Sequence, residues 1–366
     1  MLTILKDALD HGYAVGAFNV HNPFEAEAVI KIHELFRAPA ILQLIQSSAG
    51  YMSGRTDFAN ATLEEKKNGA KAFCRCVLPL MERSSVPVSL NLDHGDDMPF
   101  LKACADLGFG GVMIDASGLP FEENMALTRE VVLYAHERNV TVEAELGALA
   151  GREDKYGRAH QIYTDPTQVV PFLDGSGADC LAISYGTLHG PNKGKELRLR
   201  SEIAVAAWEN MLFQGKVHPL VSHGSSLVRQ DIVAAINERG CCLREAHGVP
   251  LKQLLDVIPY GIAKINIGTD LRLAILRNLL EYSDSVDAKK ISPKAAQIQE
   301  IVKLHPDCID ERVLFLPIRE ELTAFCDSDE AHPFICLMRQ AVMETAGRLL
   351  VHFGAAGRAP AAPPFH

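Results

Sequence analysis

The run VPVSLNLDHGDD, residues 86–97, decides how this chain is read. Its first seven residues alternate and are β-branched in part, as in a buried strand, and the run then breaks into Asp93, His94 and Gly95. Asp and Gly form turns readily, so alone the segment reads as a strand and a turn. Its weight comes from other runs that end in the same way.

Seven more apolar runs share the pattern: YAVGAFN (13–19), APAILQL (38–44), GGVMID (110–115), VTVEAEL (140–146), CLAISY (180–185), HPLVSH (218–223) and AKINIG (263–268). Helical patterns such as FEAEAVIKIHELFR (24–37) and FEENMALTREVVLYAHERN (121–139) fall between them. Eight strands alternating with helices predict an α/β fold, a (β/α)8 TIM barrel over residues 1–291. A doubly wound sheet is disfavoured because no G-x-G-x-x-G follows the first strand. Residues 292–353 read as a C-terminal helical extension packed on the barrel, and the Gly/Ala/Pro-rich residues 354–366 as a disordered tail.

Composition narrows the partners. A formal charge of -10 disfavours nucleic acid or an anionic membrane as the main partner, and no apolar run approaches the ~20 residues of a membrane span. Nine cysteines, an odd number without zinc-site spacing, fit reduced thiols, and the N-terminus lacks the pattern of a signal peptide, so a cytoplasmic location is expected.

In a barrel of this kind the chemistry sits at the C-terminal ends of the strands. Those ends supply Asn19, Gln43, Asp93 with His94, Asp115, Glu145, His189, His223 and Asn266. One polar residue after a strand is ordinarily a turn or a cap; a full ring of them points to a site. Three histidines with carboxylates suit a catalytic Zn²⁺ that keeps a position open. After the last two strands, SHGSSL (222–227) and NIGTD (266–270) place Gly224, Ser225, Ser226, Gly268 and Thr269 where such barrels bind phosphate. Metal plus phosphate cradle suggests carbonyl chemistry on a phosphorylated sugar, with the metal as Lewis acid. Lys264 lies inside the eighth strand, and no lysine ends the sixth, so imine chemistry is the weaker option.

The set LDHGDD, MIDASGLPFEENM, VEAELG, GREDKYG, YTDP, GTLHGPNKG, SHGSS and KINIGTDLR resembles the class II, metal-dependent fructose-bisphosphate aldolase family, most closely its Calvin-cycle-type branch. The likeness runs from about the first strand to Arg272. It implies that His94, His189 and His223 hold a catalytic Zn²⁺ and that Asp115 and Glu145 serve a second or displaced metal position, divalent or monovalent. It further implies that Asp93 exchanges a proton with the C4 oxygen of a ketose and that Glu153 handles the proton at the enediolate carbon. Gly190, Gly224 to Ser226 and Asn266, Ile267, Gly268 and Thr269 match dihydroxyacetone-phosphate contacts; Asn19 and Gln43 match lining residues. A small phosphorylated sugar is the implied substrate, and a homodimer or homotetramer the implied assembly.

Departures bear on substrate identity, the first of them in a stretch that the resemblance associates with the aldehyde half. Ile45, Gln46 and Ser47 stand where the family has Ser-x-Gly, His21 replaces an Asn, Ala150 a Gly, and Asn192 a frequent aromatic. The leading expectation is reversible cleavage of fructose 1,6-bisphosphate or a close relative to dihydroxyacetone phosphate and an aldehyde, with tagatose 1,6-bisphosphate, a longer ketose bisphosphate, a ketose 1-phosphate or another non-standard aldehyde partner as alternatives. A metal-dependent barrel hydrolase and a catalytically silent binding protein are the alternatives; the former lacks the His-x-His its first strand should carry.

Overall fold

Eight parallel strands close on themselves: β1 (Val15–Asn19), β2 (Ala40–Ile45), β3 (Val88–Gly95), β4 (Gly111–Ile114), β5 (Thr141–Leu146), β8 (Cys180–Ile183), β9 (Leu220–Ser222) and β10 (Ile262–Ile267). β10 pairs with β1 from Val15↔Lys264 to Phe18↔Ile267 and completes the ring. This is the expected (β/α)8 barrel. The structure, a computed structural model, describes residues 1–153, 156–158, 160–284, 295–319 and 333–360, with the backbone alone at 152–153 and 156–158.

Period-two alternation sorts the side chains. Val15, Ala17, Ile41, Met113, Cys180, Ala182 and Val221 cluster inside the barrel, and the helix Leu2–His11 adds Leu5 and Ala8 to the same cluster. Phe18, Leu42, Leu90, Leu92, Val142 and Ile265 point outward into the larger layer beneath the helices. Each such side chain, fully buried, contributes about 1.5–3 kcal/mol. Along the same inner parity the strands turn polar toward their C-terminal ends: Ala17 gives way to Asn19 and Ile41 to Gln43, and β3 carries Asn91 and Asp93. The apolar floor therefore carries a polar upper layer.

Capping fixes where the helices start. Asn22 accepts from the N–H groups of Phe24 (3.0 Å) and Glu25 (3.1 Å), and Thr62 forms a capping box with Glu65 ahead of helix Leu63–Glu82. Helix Gln46–Met52 follows β2 directly, and the connection after β5 contains a hairpin, β6 (Gly151–Glu153) with β7 (Tyr156–Arg158).

Past residue 291, helices span Ala295–Leu304, Glu311–Leu314 and Pro333–His352. The last lies against Pro23–Phe36 and Thr269–Ser283, and Leu337 O accepts from Asn278 Nδ2 at 3.0 Å. Residues 354–360 are held as well, since the N–H of Gly357 donates to Phe36 O and that of Ala359 to Arg37 O, both at 2.8 Å. Composition does not disclose such tethers; residues 361–366 lie outside the described residues. Among the described residues no helix is long and apolar enough to cross a membrane.

Candidate active site and metal centre

β3 does not stop before Asp93; it runs on to Gly95 with a register shift between Leu92 and Gly95. His94 sits in the shift with φ 48°, a left-handed backbone that non-glycine residues rarely adopt. A regular strand would send Asp93 and His94 to opposite faces. The bulge instead directs both into the site, where they are 2% and 4% exposed. Backbone strain of this kind concentrates at functional sites.

The rings of His94, His189 and His223 meet edge to face, with centroids 5.0 Å (94–189), 4.8 Å (94–223) and 6.3 Å (189–223) apart. His94 Nδ1 faces Asp115 Oδ2 at 3.2 Å, and His223 Nε2 faces Glu143 Oε1 at 2.7 Å. Each carboxylate favours an N–H on the nitrogen beside it, which leaves lone pairs on His94 Nε2 and His223 Nδ1. Those two atoms are 3.0 Å apart and face each other. Asn266 Nδ2 lies 3.1 Å from His223 Nδ1, and a proton or a cation between the two ring nitrogens removes their repulsion. Burial would depress the His94 imidazole, yet Asp93 and Asp115 hold it up to about 10, so the site attracts one positive charge. A divalent cation fits this donor set. The donor groups Asp93/His94/His223 and His94/Asp115/Glu145 share His94, their ligand atoms lying within 4.8 Å of one another in each. Ser117 Oγ bridges Asp115 (2.6 Å) and Glu145 (3.0 Å).

Sequence reasoning passed over Glu143. It lies two residues below Glu145 on the same face, fully buried, and its second oxygen accepts from Lys264 Nζ at 2.7 Å. Burial alone would raise its carboxyl, but Lys264 and His223 bring it down to about 2. Lys264 is therefore committed to a carboxylate rather than placed as a nucleophile. The repeated parity of Glu143 and Glu145 in VTVEAEL was the available signal.

Asp93 accepts from Asn19 Nδ2 (3.0 Å) and Asn266 Nδ2 (3.2 Å), so its carboxylate is oriented from two strands. Gln43 sits behind: it donates to Asn19 Oδ1 at 2.8 Å and accepts from Asn91 at 3.2 Å, supporting Asn19 rather than lining the pocket. Glu153 lies on β6; its side chain is outside the described residues. The hairpin meets the His189 loop directly, because His189 N–H donates to Ala150 O at 3.0 Å. Gly151 permits this approach: φ is 98°, and a Cβ there would lie 2.4 Å from His189 O.

A cleft beside Asp93 and His223 is lined by Gly190, Gly224, Ser226, Gly268 and Thr269, as expected, and also by Lys193. Lys193 Nζ donates to Gly224 O at 2.8 Å. The helix Thr269–Ser283 begins here with its N–H groups toward the cleft, an arrangement that favours an anion. Asp270 holds the facing loop, accepting from the N–H groups of Leu227 and Val228, each at 2.8 Å. Two expected contacts are turned elsewhere. Ser225 Oγ bonds Ser222 Oγ at 2.7 Å, and the Ile267 side chain packs in the outer core because strand alternation points it there.

Beyond Asp93, at the ends of β1 and β2, a second polar cluster is buried. His21 Nδ1 meets Ser48 Oγ at 2.6 Å, and Arg272 Nε donates to His21 Nε2 at 3.3 Å. Arg312 spans Asp310 with two bonds (2.8 and 2.6 Å) and donates to Ser47 Oγ at 2.8 Å. Glu311 Oε1 is 3.4 Å from His21 Nε2, and Glu25 accepts the His21 N–H at 2.8 Å. Burial first, then Asp310, raises Glu311; burial first, then Glu311, raises Glu25. These residues past 291 carried no expected role.

Comparison with known proteins agrees with this geometry. Residues 1–327 match the family model described as fructose-bisphosphate aldolase class-II. A fructose-bisphosphate aldolase of Giardia intestinalis is 34% identical over 321 residues, 87% of this chain and 88% of the relative. One of Staphylococcus aureus is 34% identical over 310 residues, 83% and 94% of the two chains. Among solved structures, the YdjI aldolase of Escherichia coli K12 superimposes with TM-score 0.66 at 25% identity, over 98% of each chain. A fructose-bisphosphate aldolase of Campylobacter jejuni, at 19% identity, shares the fold with TM-score 0.67 over 97% of this chain and 94% of its own. With the match spanning barrel, cleft and histidine cluster, the chain belongs to the class II fructose-bisphosphate aldolase family, metal-dependent carbon–carbon lyases.

Proposed function

We propose that the enzyme is a zinc-dependent aldolase that reversibly cleaves a ketose phosphate, phosphorylated on carbon 1, to dihydroxyacetone phosphate and an aldehyde. The observation that carries this reading is the pair of facing nitrogens on His94 and His223 beside the oriented carboxylate of Asp93. His94, His189 and His223 would hold Zn²⁺, with Asp115 and Glu145 available to a second cation. When bound, Zn²⁺ supplies Lewis acidity at the carbonyl and enediolate oxygens.

The remaining work belongs to the chain. Asn19 and Asn266 keep Asp93 aimed, and Asp93 takes the proton from the C4 hydroxyl as the C3–C4 bond breaks. Glu153 returns a proton to the carbon of the enediolate. Gly190, Gly224, Ser226, Gly268 and Thr269 receive the phosphate with Lys193 behind them. Glu143 fixes the His223 tautomer. Fructose 1,6-bisphosphate is the substrate in the relatives' names; the cradle specifies only the half that becomes dihydroxyacetone phosphate.

Metal analysis with chelation tests the reading: stoichiometric zinc and loss of cleavage on its removal are expected, and full activity after verified removal sinks it. We further propose a cytoplasmic homo-oligomer, consistent with eight free cysteines among the described residues and with Phe213 90% exposed beside half-exposed Leu212. Light scattering on the purified chain gives its mass directly.

A further inference from the structure

The β2–β3 ladder runs from Ala40↔Val88 to Ile45↔Asp93 and ends there, because at Gln46 the chain turns into the helix Gln46–Met52. His94, the next residue of β3, falls in the register shift on the β4 side and carries φ 48°. Regular pairing thus lapses on both sides of His94, where a proposed zinc ligand has to be fixed. A residue in this region of backbone space relaxes unless its surroundings over-determine it.

Gln46 is placed to hold it. It stands one residue past Ile45, hence opposite His94, and is 1% exposed. Its Nε2 donates to Asp96 Oδ1 at 2.5 Å and to His94 O at 3.4 Å, so the two amide protons straddle Gly95. Its Oε1 accepts from Lys66 Nζ at 2.7 Å. An ammonium can only donate, so this bond decides which end of the amide is oxygen and turns the NH₂ group toward β3. Lys66 is itself buried, 5.6 Å from the centre of the Phe100 ring and 3.7 Å from Asp97 Oδ2, the N-terminal cap of helix Met98–Asp106. Residues 94, 96 and 97 are therefore tied to two helices, Gln46–Met52 and Leu63–Glu82, from one side.

We propose that Gln46, oriented by Lys66, is a positioning residue that holds the left-handed backbone at His94 and with it the aim of the ring whose Nε2 faces His223. The inference rests on the reading of His94 as a zinc ligand. Gln46 itself touches neither metal nor substrate. Without its amide, the segment from His94 to Asp96 relaxes toward ordinary backbone and the ring drifts from Asp115, now 3.2 Å away. The loss then shows as weaker zinc binding by a chain that is still folded.

The test measures the zinc affinity of the full chain by competition with a chelator, with circular dichroism to confirm folding. Asp96 is exposed, so the clamp can be opened there without a buried void. Asp96→Ala removes the acceptor of Gln46 and should weaken zinc binding about threefold or more. Asp96→Asn keeps an acceptor oxygen without the charge and should restore most of that affinity. Gln46→Met keeps the length of the side chain, loses its bonds, and should weaken zinc binding about 10–100-fold. Equal losses in Asp96→Ala and Asp96→Asn would make the effect one of charge alone and overturn the inference. So would a folded Gln46→Met with a lowered thermal midpoint and wild-type zinc affinity, the mark of a merely structural role. If Gln46→Met does not fold, the Asp96 pair decides. Wild-type chain that takes up no zinc removes the ligand reading and the inference together, whereas zinc bound by wild type and lost in His94→Ala leaves the ligand reading standing whatever the Gln46 and Asp96 variants show.

Discussion

Around β8 to β10 the rim of the site offers backbone N–H groups, Ser226, Thr269 and Lys193, with glycines that let an anion come close; around β1 and β2 it buries Arg272 and Arg312 among Asp310, Glu311 and Glu25. Both regions contain basic residues. They differ in whether the balancing negative charge is part of the protein. In the first, the charge must come from the ligand, so binding completes the electrostatics. In the second, Asp310 pairs with Arg312 inside the chain, and burial pushes the carboxyls of Glu25 and Glu311 up toward their neutral forms.

The contrast can be attacked from the catalytic centre outward. Asp93→Ala removes the group shared by both halves; kcat/KM for cleavage should fall about 10²–10⁴-fold while zinc content stays at the wild-type value. Loss of metal in that variant would make Asp93 a ligand instead. Lys264→Met strips a buried carboxylate of its cation and should destabilise the fold by about 3–5 kcal/mol in urea titration. A cost under ~1 kcal/mol would show that Glu143 is balanced by His223 alone. Glu143→Gln should weaken zinc affinity about 10–100-fold, measured by competition with a chelator, because it loosens the His223 tautomer.

The smallest effect sharpens the β1–β2 side. The Glu311 carboxyl is raised by burial and then by Asp310 to about 7, above its ordinary value of 4.5. A carboxyl raised on folding favours the native state while protonated. Its contribution is complete below pH 4.5 and is lost as pH climbs through about 7. Glu311→Gln should therefore gain on wild type as pH rises from 5 to 8, by about 1–3 kcal/mol in thermal or urea unfolding. A pH-independent difference would mean that Glu311 stays ionised in the fold.

The barrel was legible because alternation and punctuation are local. VPVSLNL, VTVEAEL and their counterparts declare strands, and the polar residue closing each run marks the functional rim. Asp93, His94, Asp115, Glu145, His223 and Asn266, which the structure brings together with His189 from the loop after β8, follow from that rule. Glu143 was missed, and Lys264 was weighed only as a nucleophile, because both lie within strands, where local pattern reads a charge as an exception; their pairing appears only when β5 and β10 face each other across the barrel. Asp310, Glu311 and Arg312 were missed for a different reason. Arg312 reaches Ser47 across 265 residues of chain, and no periodicity encodes such a meeting. Likewise, nothing in NLDHGDD announces that His94 takes a left-handed backbone.

That backbone has a mechanical consequence. Because the shift in β3 turns two consecutive residues inward, the proposed proton acceptor and a proposed metal ligand share one peptide plane, with Cα atoms about 3.8 Å apart by covalent geometry. That Cα spacing is set by a ruler that breathing of the barrel cannot stretch. Motions of β3 that shift the ligand's backbone carry that of the base along, while Asn19 and Asn266 set where the carboxylate points.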